Sequence, residues 1–330
     1  MHFKLTGNGG NCSGCEWLQA SGEITLDSAE QLKAYLESEK LSDWQGDITF
    51  DSPGGSLFGG IKLGTFIRKQ GMSTSVGGSK LADGAAIDVS DRTTGVCASA
   101  CVFAYLGGVQ RTFGRLGVHQ FYDPDAIRDP SAKVFTAIDY SDQQMMSALI
   151  SDYVTRMGAD ARLMLIVAKS SPAEMHYFSE EEARGLRVTW EPNKFDAWAI
   201  ELRNQGVVAF SKTADRQKTV TLFCRGDRIP RALVTMPIYY SAQNTISLFG
   251  EADYQAFGVS ARGDRTRITF NGNVVLWEIN LSGVNPNRLS GSIGLSDGSM
   301  AEVRAFASVF TDMSAVNLSQ AARIAFRNCI

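Results

Sequence analysis

The segment Asp47-Ile48-Thr49-Phe50, running into Asp51-Ser52-Pro53-Gly54-Gly55, restricts the fold more than any other part of this chain. A short buried strand meets a Pro-Gly-Gly break, and Leu57 to about Gln70 then carries helical apolar spacing through Ile61, Phe66 and Ile67, with Leu63 off that face. Met72–Val76 reads as the next strand. Upstream, Glu16–Thr25 alternates like a strand, and Asp27 or Ser28 caps a helix to about Lys40 with Leu32, Tyr35 and Leu36 on one side. The order βαβαβ predicts an α/β domain with a mainly parallel sheet and crossover helices.

Residues 77–95 read as a Gly/Asp/Thr-rich surface insertion, followed by a helix after Ser99 that ends near Gly107-Gly108. Gln110–Phe113 and Leu116–Phe121 read as short strands, and Tyr122–Ala132 as a loop. Ser141 is expected to cap a helix to about Met157 with Met145, Leu149, Tyr153 and Val154 on its packed side, and Asp160 to cap another through Lys169. Ser179 and Glu182 have capping-box spacing, and Arg187–Trp190 reads as a closing strand. After about Asn193 the texture changes to short alternating segments: Val207–Ser211, Thr219–Cys224, Ala232–Tyr240, Thr245–Phe249, Arg267–Asn271, Val274–Leu281 and Ala305–Phe310. A helix at Ser319–Phe326 closes the chain. The expected organisation is an N-terminal loop or tail over 1–15, an α/β domain over 16–192, and a smaller all-β domain, sandwich or barrel, over 193–330.

A net charge of −3 carries no polyelectrolyte signature, which argues against nucleic acid as a partner. No apolar run approaches the roughly 18 residues of a membrane span. Six cysteines fall into the plausible pairs Cys12/Cys15, Cys97/Cys101 and Cys224/Cys329, one of several connectivities. Cys12-Ser13-Gly14-Cys15 precedes a strand rather than opening a helix, so it reads as a staple and not as a redox centre. Disulfide use implies an oxidising compartment, a periplasm or the cell exterior; a cytosolic protein with buried thiols is the alternative. Met1-His2-Phe3-Lys4 leads straight into Gly/Asn-rich sequence without a signal peptide, which is expected to have been removed. Neither a metal nor a cofactor is expected.

Three features suggest acyl-transfer chemistry. Ser99, between Ala98 and Ala100 at a helix entrance, can act as nucleophile if a base takes its proton. Among His2, His119 and His176, the strand residue His119 is the best candidate base. The N–H of Ala100 at the helix start, and one from the Gly54-Gly55 turn, can form an oxyanion hole. Taken singly, each has a plainer reading: an N-cap serine, a structural histidine, a turn.

Gly22-Glu23-Ile24, Asp51-Ser52-Pro53-Gly54-Gly55, Ser99, Arg115–Gln120 and Phe178-Ser179-Glu180-Glu181-Glu182-Ala183-Arg184-Gly185-Leu186 together resemble the Clp protease proteolytic subunit, ClpP, within the ClpP/crotonase superfamily. The chain looks most like the periplasmic ClpP-like proteins, with cysteines flanking the serine. The resemblance covers roughly residues 16–192 and implies a βαβ spiral domain. It also implies Ser99 as nucleophile, His119 as base, Gly55 and Ala100 as oxyanion donors, a peptide or protein substrate and a homo-oligomer. The family's catalytic Asp aligns with Met175 here, with Glu174 beside it as the replacement candidate. Ala100-Cys101 also departs from the family's residues after the serine. A Cys97–Cys101 bridge would require Cys97 to lie outside the helix.

The leading expectation is a secreted or periplasmic serine peptidase. A weak or inactive ClpP-like scaffold whose β domain binds a partner is the alternative. A crotonase-type enzyme acting on CoA thioesters is a third reading.

Overall fold

The computed structural model describes residues 1–9, 15–81, 90–121, 137–203, 206–238, 254–257, 259–261, 265–289, 293–295 and 317–329. The chain divides into two compact units, Met1–Glu191 and Pro192–Ile330.

In the first unit, β1 (His2–Gly7) lies antiparallel to β2 (Glu16–Ser21), while β2, β3 (Asp47–Asp51) and β4 (Ser73–Val76) run parallel. The expected N-terminal tail is therefore in part an edge strand. His2–Leu5 alternates in exposure, and Leu5 N–H donates to the Tyr35 hydroxyl at 2.7 Å. Helix α1 (Ser28–Ser38) and helix α2 (Leu57–Gln70) are the crossovers between the parallel strands. Ser56 caps α2 through a hydrogen bond from Gly59 N–H, and Gly71 ends it in the left-handed region at φ 76°.

Leu63, read from the sequence as off-face, is fully buried, because α2 packs through a glycine face. A Cβ at Gly60 would lie 2.3 Å from Ala100 O, and one at Gly64 would lie 2.0 Å from the Tyr153 hydroxyl. Small residues at these positions let α2 lie directly on the helix that follows Ser99, α3 (Ala100–Tyr105).

The expected surface insertion contains a hairpin, β5 (Gly78–Leu81) with β6 (Ser90–Thr93). Next comes a three-stranded sheet of β7 (Cys97–Ala98), β8 (Leu116–Val118) and β9 (His176–Tyr177), in that order. A parallel bridge between Ser52 and Cys97 joins it to the end of β3. The strand expected over Gln110–Phe113 shrinks to single bridges from Arg111 to Thr74 and to Trp190. Helices α4 (Ala137–Arg156), α5 (Leu163–Lys169) and α6 (Glu180–Gly185) complete the unit. Helix α4 starts before Ser141, and its packed side is Ile150, Tyr153 and Val154; Met145 and Leu149 are 61% and 55% exposed, contrary to the sequence reading.

Arg111 is fully buried without a carboxylate partner among the described residues. Its guanidinium donates to the carbonyls of Val188, Leu106, Gly108, Met157 and Arg187. Arg68 donates to Leu106, Gly107, Gly108 and Met157 alongside it. Two cations thus serve the carbonyl-rich ends of α3 and α4, where the helix dipoles favour positive charge. Burial nevertheless brings Arg111 down to about 10.

In the second unit, β10 (Ala199–Arg203), β11 (Gly206–Lys212), β12 (Thr219–Cys224) and β13 (Pro230–Pro237) form an antiparallel meander. A separate three-stranded sheet contains β14 (Tyr254–Ala256), β15 (Val259–Ala261) and β18 (Ile293–Leu295). Strands β16 (Thr266–Asn271) and β17 (Val274–Asn280) extend the larger sheet to the order β10-β11-β12-β13-β17-β16. That order has two ends, so among the described residues the sheet is open and not a closed barrel. The strands expected at Thr245–Phe249 and Ala305–Phe310 lie outside the described residues. Alternation fills one face: Leu222, Val234, Trp277 and Ile279 are buried. Helix α7 (Leu318–Ala325) joins this core through Leu318, Ala321, Ala322 and Ala325, with Phe326 following.

Candidate active site

Ser99 stands between β7 and α3, held by two neighbouring strands. Ala98 N–H donates to Ser52 O at 3.0 Å and Ser99 N–H to Gly117 O at 2.8 Å. A serine at a helix start ordinarily caps it. Ser99 does not: its side chain makes no capping hydrogen bond, and its backbone is held at φ 56°, ψ −123°. L-residues populate such positive-φ conformations rarely, at a cost of roughly 1–3 kcal/mol. The plain N-cap reading therefore fails, and the half-buried hydroxyl is left for another use.

The Pro-Gly-Gly turn lies against this elbow. A Cβ at Gly54 would be 2.7 Å from Ala98 O, 2.8 Å from Ser99 Cβ and 3.1 Å from Ala100 N. Gly54 and Gly55 have φ of 106° and 130°, which glycine alone adopts readily. Gly54 O accepts from Ile24 N–H at 2.7 Å. In a trans peptide the C=O and N–H point oppositely, so the Gly55 N–H of that same unit faces away from Ile24. The same argument holds at Ala100: Ser99 O accepts from Val102 N–H within α3, so the Ala100 N–H points back out of the helix start. The sequence had singled out Gly55 and Ala100; the contact role of Gly54 follows only from the structure.

His119 follows β8 directly. With Ala98 paired to Gly117, it lies two residues beyond Gly117 on the strand adjacent to the Ser99 elbow. Its Nδ1 is 2.7 Å from Gln120 O. Gln120 is itself anchored at the end of α5, its N–H donating to Ser170 O at 2.9 Å and its side-chain amide to Ala168 O.

Glu174 is exposed, and its carboxylate makes no hydrogen bond or ion pair among the described residues. Val118 pairs with His176 in the antiparallel β8–β9 register, which continued by one residue sets Met175 opposite His119. Met175 also packs over Gly117, whose added Cβ would lie 2.8 Å from Met175 Cγ. His2 is in β1, and His176 pairs instead with Glu182 at 2.9 Å. This pair divides the expected capping box: Ser179 Oγ accepts from Glu182 N–H at 3.1 Å, while the Glu182 carboxylate turns to His176.

Cys97 and Cys101 form a disulfide with Cα atoms 5.2 Å apart; Cys97 is in β7 and only Cys101 is helical. Cys224 and Cys329 form another. Cys15 is disulfide-bonded, while Cys12 lies outside the described residues. Among the described residues no group of three or more His, Cys, Asp or Glu could hold a metal ion, and no helix is long and apolar enough to cross a membrane.

No family model matches the chain, and no curated protein matches it. Solved structures similar to it include ClpP1 from Listeria monocytogenes, at 20% identity and TM-score 0.35, covering 52% of this chain and 88% of that one. A point mutant of the same ClpP1 matches at 19% identity and TM-score 0.33, with the same coverage. A mutant of the membrane-bound stomatin-specific protease 1510-N matches at 14% identity and TM-score 0.34, covering 52% of this chain and 75% of that one. At such scores the likeness assigns this chain neither a family nor an activity.

Proposed function

We propose that the first unit is a serine hydrolase, most simply a peptidase, working in a periplasm or outside the cell. The observation that carries this reading is the strained, non-capping Ser99 set against the Gly54-Gly55 turn. Ser99 Oγ attacks the scissile carbonyl as its proton passes to His119 Nε2. The carbonyl oxygen becomes an oxyanion received by the Gly55 and Ala100 N–H groups. The tetrahedral species collapses to an acyl-enzyme, expelling the amine, which takes the proton from His119. Water then repeats the sequence and frees the acid.

A base must keep its accepting nitrogen unprotonated. With Nδ1–H donated to Gln120 O, the tautomer leaves Nε2 as acceptor. In this reading a backbone carbonyl, and not Glu174, orients the ring. The disulfides support the oxidising location. A homo-oligomer remains part of the proposal by resemblance alone. The second reading, an inactive scaffold, is favoured by one observation, Met175 in line with His119.

A fluorophosphonate probe separates the two. Labelling of the wild type that is lost in Ser99→Ala and strongly reduced in His119→Ala supports the hydrolase; an unlabelled wild type refutes it.

A further inference from the structure

The two units differ in charge. Residues 1–191 carry 17 Lys and Arg against 24 Asp and Glu, net −7, whereas residues 192–330 carry 15 against 11, net +4. Twelve of those 15 are arginines. Arginine, with its planar five-donor fork, is the side chain suited to bidentate pairing with oxyanions.

Part of this excess converges on one place. A cavity of about 850 Å³ in the second unit is lined by Arg228, Arg323 and Arg327, together with Asn285, Asn287 and Phe326, and has no carboxylate in its described wall. The side chains of these three arginines make no hydrogen bond or ion pair among the described residues. Other arginines of the unit are paired: Arg231 with Asp227 and Glu278, Arg203 with Glu201, Arg225 with Glu278. A second cavity of about 710 Å³ shares Arg228 and Arg327 and adds Arg203 and Arg225. The Cys224–Cys329 bond ties β12 to the turn after α7, and its cysteines line these cavities, Cys329 the first and Cys224 the second. A cation in the last turn of α7 also answers the helix dipole, which accounts for Arg323 but not for Arg228 or Arg327.

We propose that this arginine-lined pair of cavities binds an extended acidic polypeptide segment, its carboxylates pairing with Arg228, Arg323 and Arg327. Two cavities sharing arginines suit a ligand with repeated charge. The larger volume far exceeds one phosphate or sulfate group. The Asn287 amide offers both a donor and an acceptor to a peptide backbone, Asn285, whose Oδ1 already accepts from Asn287 N–H, offers a donor, and Phe326 and Pro286 supply apolar wall. This proposal does not depend on Ser99 being a live nucleophile.

The test uses the full chain and fluorescein-labelled hexaglutamate, followed by anisotropy from low to physiological ionic strength. Binding that weakens with salt, is absent for hexaglutamine, and falls about tenfold or more in the Arg323→Gln/Arg327→Gln double variant is the expected result. Arg228→Gly should weaken it too while keeping the fold, because Arg228 sits at φ 58°, where glycine is at ease. Arg267→Gln, on the exposed side of β16, should leave it unchanged. Equal binding of hexaglutamine, or wild-type affinity in both arginine variants, overturns the proposal. So does displacement of the peptide by inorganic phosphate or oligothymidylate at lower concentration than by unlabelled hexaglutamate.

Discussion

Replacing Ser99 by Gly should make the protein more stable than replacing it by Ala. Both changes delete the same hydroxyl, so they differ only in Cβ and backbone freedom. At φ 56°, ψ −123° an alanine bears the strain that serine bears, roughly 1–3 kcal/mol, and a glycine does not. Glycine gives back part of this through the greater entropy of its unfolded chain, about 0.5–1 kcal/mol. The net expectation is that Ser99→Gly exceeds Ser99→Ala by about 0.5–2 kcal/mol. For a folding unit of 191 residues that is an increase in Tm of about 1–8 °C, at about 2–4 °C per kcal/mol. Thermal unfolding and urea titration of the two variants, with equal m-values, measure it. Equal stability, or Ser99→Gly the weaker, would show the elbow to be unstrained and would remove the observation on which the nucleophile assignment rests.

Gly54→Ala should destabilise the first unit by about 2–5 kcal/mol, combining backbone strain with collision against the elbow, whereas Gly71→Ala meets nothing nearer than 3.7 Å and should cost only about 1 kcal/mol; equal losses by urea titration would refute the close approach. Glu174→Gln should leave fluorophosphonate labelling of Ser99 within about twofold, because its carboxylate has no partner among the described residues; a drop of a hundredfold or more would restore it as the orienting acid. Met175→Asp, which sets a carboxylate opposite His119 in the continued register, should raise the rate of fluorophosphonate labelling of Ser99; an unchanged or lower rate would refute that placement. The Asp227 carboxyl is held at about 2 by the hydrogen bond from Arg231. A depressed carboxylate contributes stability above its unfolded value, near 4, and loses it as pH falls toward 2. Asp227→Asn should therefore destabilise the second unit at pH 6 and converge with wild type near pH 2 in denaturant titrations.

The parallel strands of the first unit were legible because a Pro-Gly-Gly break and helical spacing are local signals. Ser99, His119 and the glycine turn were legible as residue types in order, and the disulfide at Cys97 and Cys101 as a spacing. What the sequence concealed lies in contacts between distant segments. Leu63 looked misplaced because nothing local shows that Gly60 and Gly64 form a packing face for α3. Met145 and Leu149 looked packed because apolar spacing on one helix does not say which stripe the sheet will cover. Arg111 gave no signal at all: its five carbonyl partners come from segments as far away in sequence as Val188. The contact of His119 Nδ1 with Gln120 O was invisible for another reason, since a backbone carbonyl leaves no trace in residue identity. The signal available was negative, an uncharged Met175 where a carboxylate was sought.

The bond between Cys97 and Cys101 puts Ser99 inside a small covalent ring. By the chain-entropy estimate, a ring spanning four residues restricts the unfolded chain by about 2 kcal/mol, against nearly 5 for the 105-residue loop closed by Cys224 and Cys329. The ring therefore governs the shape of the elbow more than survival of the fold. If Ser99 is the nucleophile proposed above, a mild reductant should cost it fluorophosphonate labelling before it costs the unit its melting transition. On the proposed reading of Ser99 as nucleophile, folding and arming then become separate events in time: the sheet and helices can form in a thiol-reducing environment, and oxidation sets the elbow afterwards.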